Sequence, residues 1–218
     1  TGYFHEFLNK KLSKKISFLN LGGFANISIH EAGKVISYDT GPANYLIDNW
    51  CRKKFQKDYD KNGNLAKKGE IDYQLLKRMT SDSYFRENHP KSTGFEKFNM
   101  RWLERQIRLT GYKITNENVL TTLTYFTITT VAQELNKDNS REKKVFVYGG
   151  GVKNQLIIDG ILGSIKQKRV KKMNFGISEK NLEATAFAWL SYKRIKGQKI
   201  TSPMITGKKS PSFLGNIY

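Results

Sequence analysis

The clearest hydrophobic pattern lies in residues 16–44, where short apolar runs alternate with glycine and polar turns. Apolar and polar positions alternate around Gly22-Gly23 and around the turn at 31–34, which is typical of strands joined by tight turns. The predicted strands are residues 16–20, 25–30 and 35–38. Asp39-Thr40-Gly41-Pro42 follows the last strand, and a helix is predicted to begin near Asn44, whose side chain we expect to cap it.

Apolar residues at helical spacing dominate the remainder of the chain. They predict helices at residues 44–55, 70–80, 99–110, 119–135, from about 154, and at 179–196. The apolar run KVFVY at residues 144–148 and a shorter run at 171–175 predict two further strands, so the fold class is α/β. The helix at 119–135 carries six threonines, whose hydroxyls we expect to serve close packing, with ligand contact as the alternative.

The candidate functional residues are glycines and an acidic residue at the ends of these strands and helices. A strand that ends in Gly22-Gly23 exposes backbone N–H groups that no Cβ shields, so a phosphate can approach. The second glycine cluster, Gly149-Gly150-Gly151, joins a strand to a helix that starts near Asn154, which favours a nucleotide, although the G-x-G-x-x-G spacing fails at Asn154. Asp39 follows a strand end, where a carboxylate can take a proton.

Two further side chains, those of Glu183 and Cys51, lie on the apolar sides of predicted helices. Glu183 shares the apolar side of its helix with Ala186, and a carboxylate that faces a core needs a partner, which makes Glu183 a site candidate. Cys51, the single cysteine, lies on the apolar side of the helix at 44–55. We expect it to be an inert core thiol.

Composition narrows the class of protein. The 218 residues suffice for one large domain or two small ones, and no apolar run approaches the roughly 20 residues of a membrane span. The net charge of +19 suggests nucleic acid, but the lysines and arginines are spread over separate elements without interleaved aromatic residues. We therefore expect no nucleic acid and no membrane as partners, and a cytoplasmic location.

The motifs, taken in order, resemble those of the anhydro-N-acetylmuramic acid kinase family. The matching stretches are LNLGGFANI at 19–27, YDTGPANYLID at 38–48, PKSTG at 90–94, TTLT at 121–124, YGGGVKN at 148–154 and EATAFAWL at 183–190. Each stretch is short, but together they keep the family's order and spacing over nearly the whole chain. The resemblance is to the carboxy-terminal part of the family.

This resemblance implies a ribonuclease-H-like mixed sheet, with antiparallel opening strands plus parallel strands, flanked by helices. It implies transfer of the ATP γ-phosphoryl group to O6 of 1,6-anhydro-N-acetylmuramic acid, with hydrolytic opening of the anhydro bridge, in cell-wall recycling. Asp39 would be the general base, and Glu183 would lie near the sugar. The implied phosphate-binding residues are Gly22, Gly23 and Gly41, and the implied adenosine-binding residues are Gly149, Gly150, Gly151 and Asn154. Mg²⁺ would bridge the phosphates without a direct protein ligand.

The chain also departs from the family pattern. Phe95 stands where the family usually has arginine, and the family's amino-terminal domain with its first phosphate loop has no counterpart in the sequence. Residues 1–218 are therefore interpreted as a carboxy-terminal kinase domain, with 56–118 as a helical and loop insertion. We expect it to be inactive alone, with a separate amino-terminal half or a second copy as partner. The alternatives are a non-catalytic nucleotide- or partner-binding remnant and a basic, nucleic-acid-binding ribonuclease-H-like protein.

Overall fold

The computed structural model describes residues 16–31, 34–137, 144–166, 170–172, 179–199, 210 and 212–213. Five strands form one mixed sheet, in the order β3-β2-β1-β4-β5. The strands are β1 (Ile16–Leu21), β2 (Phe24–Glu31), β3 (Lys34–Pro42), β4 (Lys144–Tyr148) and β5 (Val170–Lys172). The first three pair antiparallel, whereas β4 pairs parallel with β1 and β5 pairs parallel with β4. This topology confirms the ribonuclease-H-like mixed sheet.

The described helices fall between and after the strands. They are α1 (Asn44–Phe55), α2 (Tyr73–Thr80), α3 (Met100–Arg108), α4 (Asn116–Asn136), α5 (Gln155–Ser164) and α6 (Glu179–Ile195). The predicted helices are all present within a few residues of their expected ends. In the described part of the chain, no helix is long and apolar enough to cross a membrane.

The predicted cap of α1 is wrong. Ala43 occupies the capping position and makes no side-chain hydrogen bond to the helix. The Asn44 side chain instead donates to the carbonyl oxygens of Leu21 and Gly22, at 3.0 and 2.8 Å. A tertiary contact has replaced the local cap. In α4 the cap is Thr115, whose hydroxyl accepts from the amide of Asn118.

The threonines of α4 serve packing, as predicted. The Thr122, Thr124 and Thr127 hydroxyls donate to backbone carbonyls four residues earlier, so they are satisfied inside the helix. Thr121 also donates to the carbonyl of Ala66, which joins α4 to the turn before α2. The helix is buried along most of its length and packs against α1, α2, α5 and the end of β3. It is the central helix of the core.

Cys51 lies in the same core and is fully buried, and burial, with Asp60 and Asp48, raises the pKa of its thiol to about 12.

Two glycines of α5 allow a test of the contact between α4 and α5. A Cβ at Gly160 would overlap the side chain of Ile128 on α4, whereas a Cβ at Gly163 would meet nothing within 4 Å. We expect Gly160→Ala to lower the free energy of unfolding by about 1–3 kcal/mol because it overpacks this contact. Gly163→Ala, the matched control, should leave it unchanged or raise it by up to about 1 kcal/mol. Urea denaturation of both variants measures this, and equal effects would contradict the packing.

His30 makes the stability of the sheet depend on pH. Its imidazole is buried with its ring edge against Phe18, and burial lowers its pKa to about 4. The unfolded chain binds the proton near pH 6.5, so the stability is fully present above that pH and is lost as the pH falls toward 4. We expect a loss of roughly 3 kcal/mol from this group. The difference in urea midpoint between pH 7 and pH 4.5 should be smaller in His30→Phe; an unchanged difference would exclude His30 as the cause.

Candidate active site

Four of the described strands have their carboxyl ends at the same end of the sheet, because β3 and β1 are both antiparallel to β2, β4 is parallel to β1, and β5 is parallel to β4. Three of these strands, β1, β3 and β4, carry the candidate residues at their carboxyl ends. These ends are followed by Gly22-Gly23, by α1 and by Gly149-Gly150-Gly151. The topology therefore brings the two predicted glycine clusters and Asp39 to one edge.

The turn between β1 and β2 is bound to the start of α1. The carbonyl of Gly23 accepts from the amides of Ala43 and Tyr45, at 2.9 Å each, and the carbonyl of Gly22 accepts from the amide of Asn44, at 3.1 Å. The first free amides of α1 are used by this turn, because a helix leaves its first N–H groups without partners in the helix itself. The turn is consequently held in one position relative to the end of β3.

Three of the predicted ligand-binding glycines have no evident packing role. A Cβ at Gly22 or Gly23 would make only ordinary contacts, of 3.4 Å or more, and a Cβ at Gly150 would meet nothing within 4 Å. None of the three has the positive φ that favours glycine. The described fold would therefore accept a side chain at these positions, and at Gly150 the space is open to a ligand.

The other three glycines are explained by the protein's own packing. Gly149 has φ 95°, and a Cβ there would lie 2.9 Å from the carbonyl oxygen of Leu21. A Cβ at Gly151 would lie 2.9 Å from the same oxygen and from Asn44 Nδ2. Gly41 has φ 137°, and a Cβ there would lie 2.8 Å from the Phe85 ring. These glycines let the three strand ends and the loop beside them approach closely, and the ligand roles predicted for them stay predictions.

Asp39 lies near the end of β3 with one carboxylate oxygen held by a neighbouring loop. Its Oδ2 accepts from the Ser92 hydroxyl at 2.8 Å and from the Thr93 amide at 3.0 Å. Among the described residues, no hydrogen bond to Oδ1 is present. A half-buried carboxylate held through one oxygen keeps the other available to accept a proton.

The end of β3 carries a bulge at this point. Asn26 pairs with Asp39 and Ala25 pairs with Gly41, so Thr40 has no opposite residue on β2. The Thr40 hydroxyl donates to the carbonyl of Ala25, at 3.3 Å. A bulge bends its strand and redirects the side chains beside it, and bulges are frequent next to active sites. The alternation read from the sequence did not predict it.

A buried ion pair lies behind Asp39. Lys91 Nζ is 3.1 Å from Glu134 Oε1 on α4, and the two side chains are only 2% and 5% exposed. Glu134 Oε2 also accepts from the Tyr38 hydroxyl, at 3.1 Å, and from Lys137, at 2.8 Å. Burial acts to raise the pKa of Glu134, but Lys137 and Lys91 outweigh it and hold this pKa below its usual value. No pattern in the sequence predicts this pair, whose members are 43 residues apart.

A cavity of about 400 Å³ lies beside the second glycine cluster. It is lined by Asn44, Ile47, Asp48, Arg52, Asp58, Tyr59, Asp60, Asn62, Gly150, Lys153 and Asn154. Two predicted adenosine-binding residues, Gly150 and Asn154, thus face a common space. The Asn154 side chain also caps α5 by accepting from the Ile157 amide, as the prediction of a helix start there implies.

Charged side chains in this cavity were missed by the sequence reasoning. Burial, opposed by Arg52 and reinforced by Asp60, raises the pKa of Asp48 to about 6. Arg52 lies one helical turn after Asp48 on α1, and that i, i+4 pair was the available signal. Only the fold brings the loop at 58–62 and Lys153 against this helix.

The remaining predicted groups are less well defined. Glu183 lies on α6, but its side chain is outside the described residues, so its place near a sugar stays a prediction. Within the described ranges, no group of three His, Cys, Asp or Glu residues could hold a metal ion. Phe95 is exposed, in the turn that follows Gly94.

Comparison with solved structures shows the fold. The activator of the 2-hydroxyisocaproyl-CoA dehydratase from Clostridium difficile, solved with bound ADPNP, matches with a TM-score of 0.50. The match covers 92% of this chain and 70% of that chain, at 12% identity. This likeness supports the α/β architecture with the mixed sheet and carries no further inference.

Comparison with curated sequences gives much closer relatives. Enzymes named anhydro-N-acetylmuramic acid kinase from Sulfurovum sp. (strain NBC37-1) and from Vibrio cholerae are 37% and 36% identical over 218 residues. Each match covers 99% of this chain and 58% of the relative, and for the enzyme from Pseudomonas fluorescens the share is 60%. The chain therefore spans a little more than half the length of these relatives.

The family model for anhydro-N-acetylmuramic acid kinase matches residues 1–218. The narrower prediction that the chain corresponds to the carboxy-terminal part of the family is not supported by these comparisons, and we do not retain it. The ordered motifs favour descent from this kinase family over the alternative of a nucleic-acid-binding protein. Because the model covers the whole chain and the curated relatives agree with it, the chain belongs to the anhydro-N-acetylmuramic acid kinase family.

Proposed function

We propose that this chain carries the general base and the adenosine site of a kinase that converts 1,6-anhydro-N-acetylmuramic acid, water and ATP into N-acetylmuramic acid 6-phosphate and ADP. The observation that supports it best is the carboxylate of Asp39, held through Oδ2 by Ser92 and Thr93 at the edge where both glycine clusters lie. A fixed carboxylate beside phosphate-accessible glycines suits a reaction that needs a base and a phosphoryl donor together.

The proposed reaction balances as one displacement at carbon and one at phosphorus. A water molecule attacks the anomeric carbon, and its proton passes to Asp39 Oδ1. The bond from that carbon to O6 breaks, and its electron pair stays on O6. O6 then attacks the γ-phosphorus of ATP, the bond to the β-phosphate oxygen breaks, and ADP leaves. Asp39 finally releases the proton to solvent.

The nucleotide is proposed to lie across the two glycine clusters. Gly22 and Gly23 are open to its phosphates, and Gly150 and Asn154 face the cavity in which we place the adenosine. The proposed roles of Gly41, Gly149 and Gly151 are indirect, since these glycines shape the backbone. Mg²⁺, with the phosphates as its ligands, would neutralise charge that develops on the transferred group.

The rest of the cleft is proposed to come from the part of the relatives' length that this chain does not span. It would supply the remaining sugar and phosphate contacts opposite Asp39 and Glu183, either from another segment or from a second polypeptide. A homodimer is the other arrangement we consider. The chain on its own would then bind nucleotide without turnover. The cytoplasmic location and the role of the reaction in cell-wall recycling stay predictions.

Gly150 gives a direct test of the nucleotide site. We expect Gly150→Ala to weaken binding of a non-hydrolysable ATP analogue about tenfold, because the added methyl group occupies cavity space that the ligand needs. Stability should not change, since no atom of the described residues, apart from the two chain neighbours, lies within 4 Å of that methyl group. Isothermal titration of the 218-residue chain measures binding. Gly163→Ala is the control outside the cavity, and unchanged affinity in Gly150→Ala would remove Gly150 from the site.

Asp39 tests the proposed chemistry. Activity is measured in this chain supplemented with the segment of a curated relative that the chain does not span. We expect Asp39→Asn to lower kcat about 10³-fold or more while the affinity for the ATP analogue is kept, because the amide still accepts from Thr93 but cannot take the proton. Turnover of the anhydro sugar at the unaltered rate would disprove the base. Turnover by the 218 residues alone would disprove the need for a further segment.

A further inference from the structure

We propose that Lys91 is a positioning residue that fixes the direction of the Asp39 carboxylate, by anchoring the loop that binds it to the core helix α4. The inference rests on the proposed role of Asp39 as base. It assigns a function to the buried pair formed by Lys91 and Glu134, which the reaction itself does not use.

Every hydrogen bond that holds Asp39 from outside the sheet comes, in the described structure, from Tyr84 or from the loop at residues 87–99 that follows it. The Asp39 amide donates to the carbonyl of Lys91, at 3.2 Å. The hydroxyl of Ser92 and the amide of Thr93 donate to Oδ2. The Tyr84 hydroxyl donates to the Asp39 carbonyl, at 2.7 Å. The direction of the carboxylate therefore depends on where this loop lies.

The loop has little regular structure to hold it in place. Residues 87–99 contain neither helix nor strand. Such a segment keeps one conformation only where side chains or backbone groups are tied to the core. Lys91 is its one buried charged residue in the described chain, and its neighbours Ser92 and Thr93 are more exposed.

The ammonium group of Lys91 has several partners in the core. Its Nζ donates to Glu134 Oε1 at 3.1 Å and to the carbonyl of Tyr84 at 3.3 Å. It also lies 4.8 Å from the centre of the Tyr84 ring and 5.9 Å from that of Tyr38. A buried ammonium that loses its carboxylate is strongly unfavourable, so alternative positions of the loop are disfavoured. Tyr84 thereby links the ion pair to the backbone of Asp39.

Lys97 provides a matched control in the same loop. Its Nζ lies over the same Tyr84 ring, 5.2 Å from the centre, and pairs with Asp82 at 3.1 Å. No backbone or side-chain group of Lys97 bonds to Asp39 in the described structure. Lys97→Met thus removes a partly exposed cation from the loop without touching the Lys91–Glu134 pair.

The test uses Lys91→Met/Glu134→Gln, because Lys91→Met alone would leave Glu134 with a buried charge that Lys137 and the Tyr38 hydroxyl only partly compensate. The glutamine can still accept from Tyr38. Amide hydrogen exchange is measured by NMR in the 218-residue chain. We expect protection of the Asp39 and Thr93 amides to fall about tenfold or more, while Leu19 and Val147 in the sheet keep theirs. Lys97→Met should leave the Asp39 and Thr93 amides protected.

The second readout is the activity of the chain supplemented with the missing segment of a curated relative. We expect the double variant to lower kcat about 10- to 100-fold with the KM for ATP unchanged, because the base is misdirected while the nucleotide site is intact. Unaltered exchange at Thr93 together with unaltered kcat would overturn the proposal. If Asp39→Asn is itself fully active, the proposed function fails instead. If Asp39→Asn is inactive and the double variant behaves as the parent, only the positioning role fails.

Discussion

The candidate site depends on the close approach of three backbone segments at one edge of the sheet. The carbonyls of Leu21, Gly22 and Gly23 accept from the start of α1, and the turn after β4 lies against Leu21. A Cβ at Gly149 or Gly151 would collide with Leu21, so this approach requires glycine. Because the turn after β1 and the start of α1 satisfy each other's polar groups, moving either of them would leave donors or acceptors unpaired.

The close approach of these segments distinguishes glycines that packing requires from glycines that it does not, although the sequence alone cannot tell them apart. Gly149 and Gly151 are needed by the fold, whereas Gly22, Gly23 and Gly150 are not needed by any described neighbour. Glycine at a position that would accept a side chain is better explained by something that approaches from outside. The proposed nucleotide would lie against these open positions, and the backbone beneath it is fixed by the packed ones.

The base is held by a different kind of contact. Its loop has no regular structure, and a buried Lys91–Glu134 pair ties that loop to the most deeply packed helix. A buried ion pair contributes little net stability, because desolvation of both charges offsets their attraction. It does penalise every arrangement in which the partners separate. For a carboxylate that must point in one direction, such a penalty matters more than overall stability.

The sequence by itself determined the strands, the helices, the ribonuclease-H-like class and the family, because periodicity and ordered motifs are local properties of the chain. It also placed Asp39 and the glycines near strand ends, but the predicted end of β3 was wrong, because the strand continues through Asp39 and Gly41 to Pro42. Only the tertiary structure decided that Asn44 binds the glycine turn instead of capping its helix, and that Thr40 is bulged. The Lys91–Glu134 pair joins residues far apart in the chain, and such a contact leaves no periodic signal. Local pattern fixes the elements, whereas the partners of a polar side chain are fixed by which elements meet.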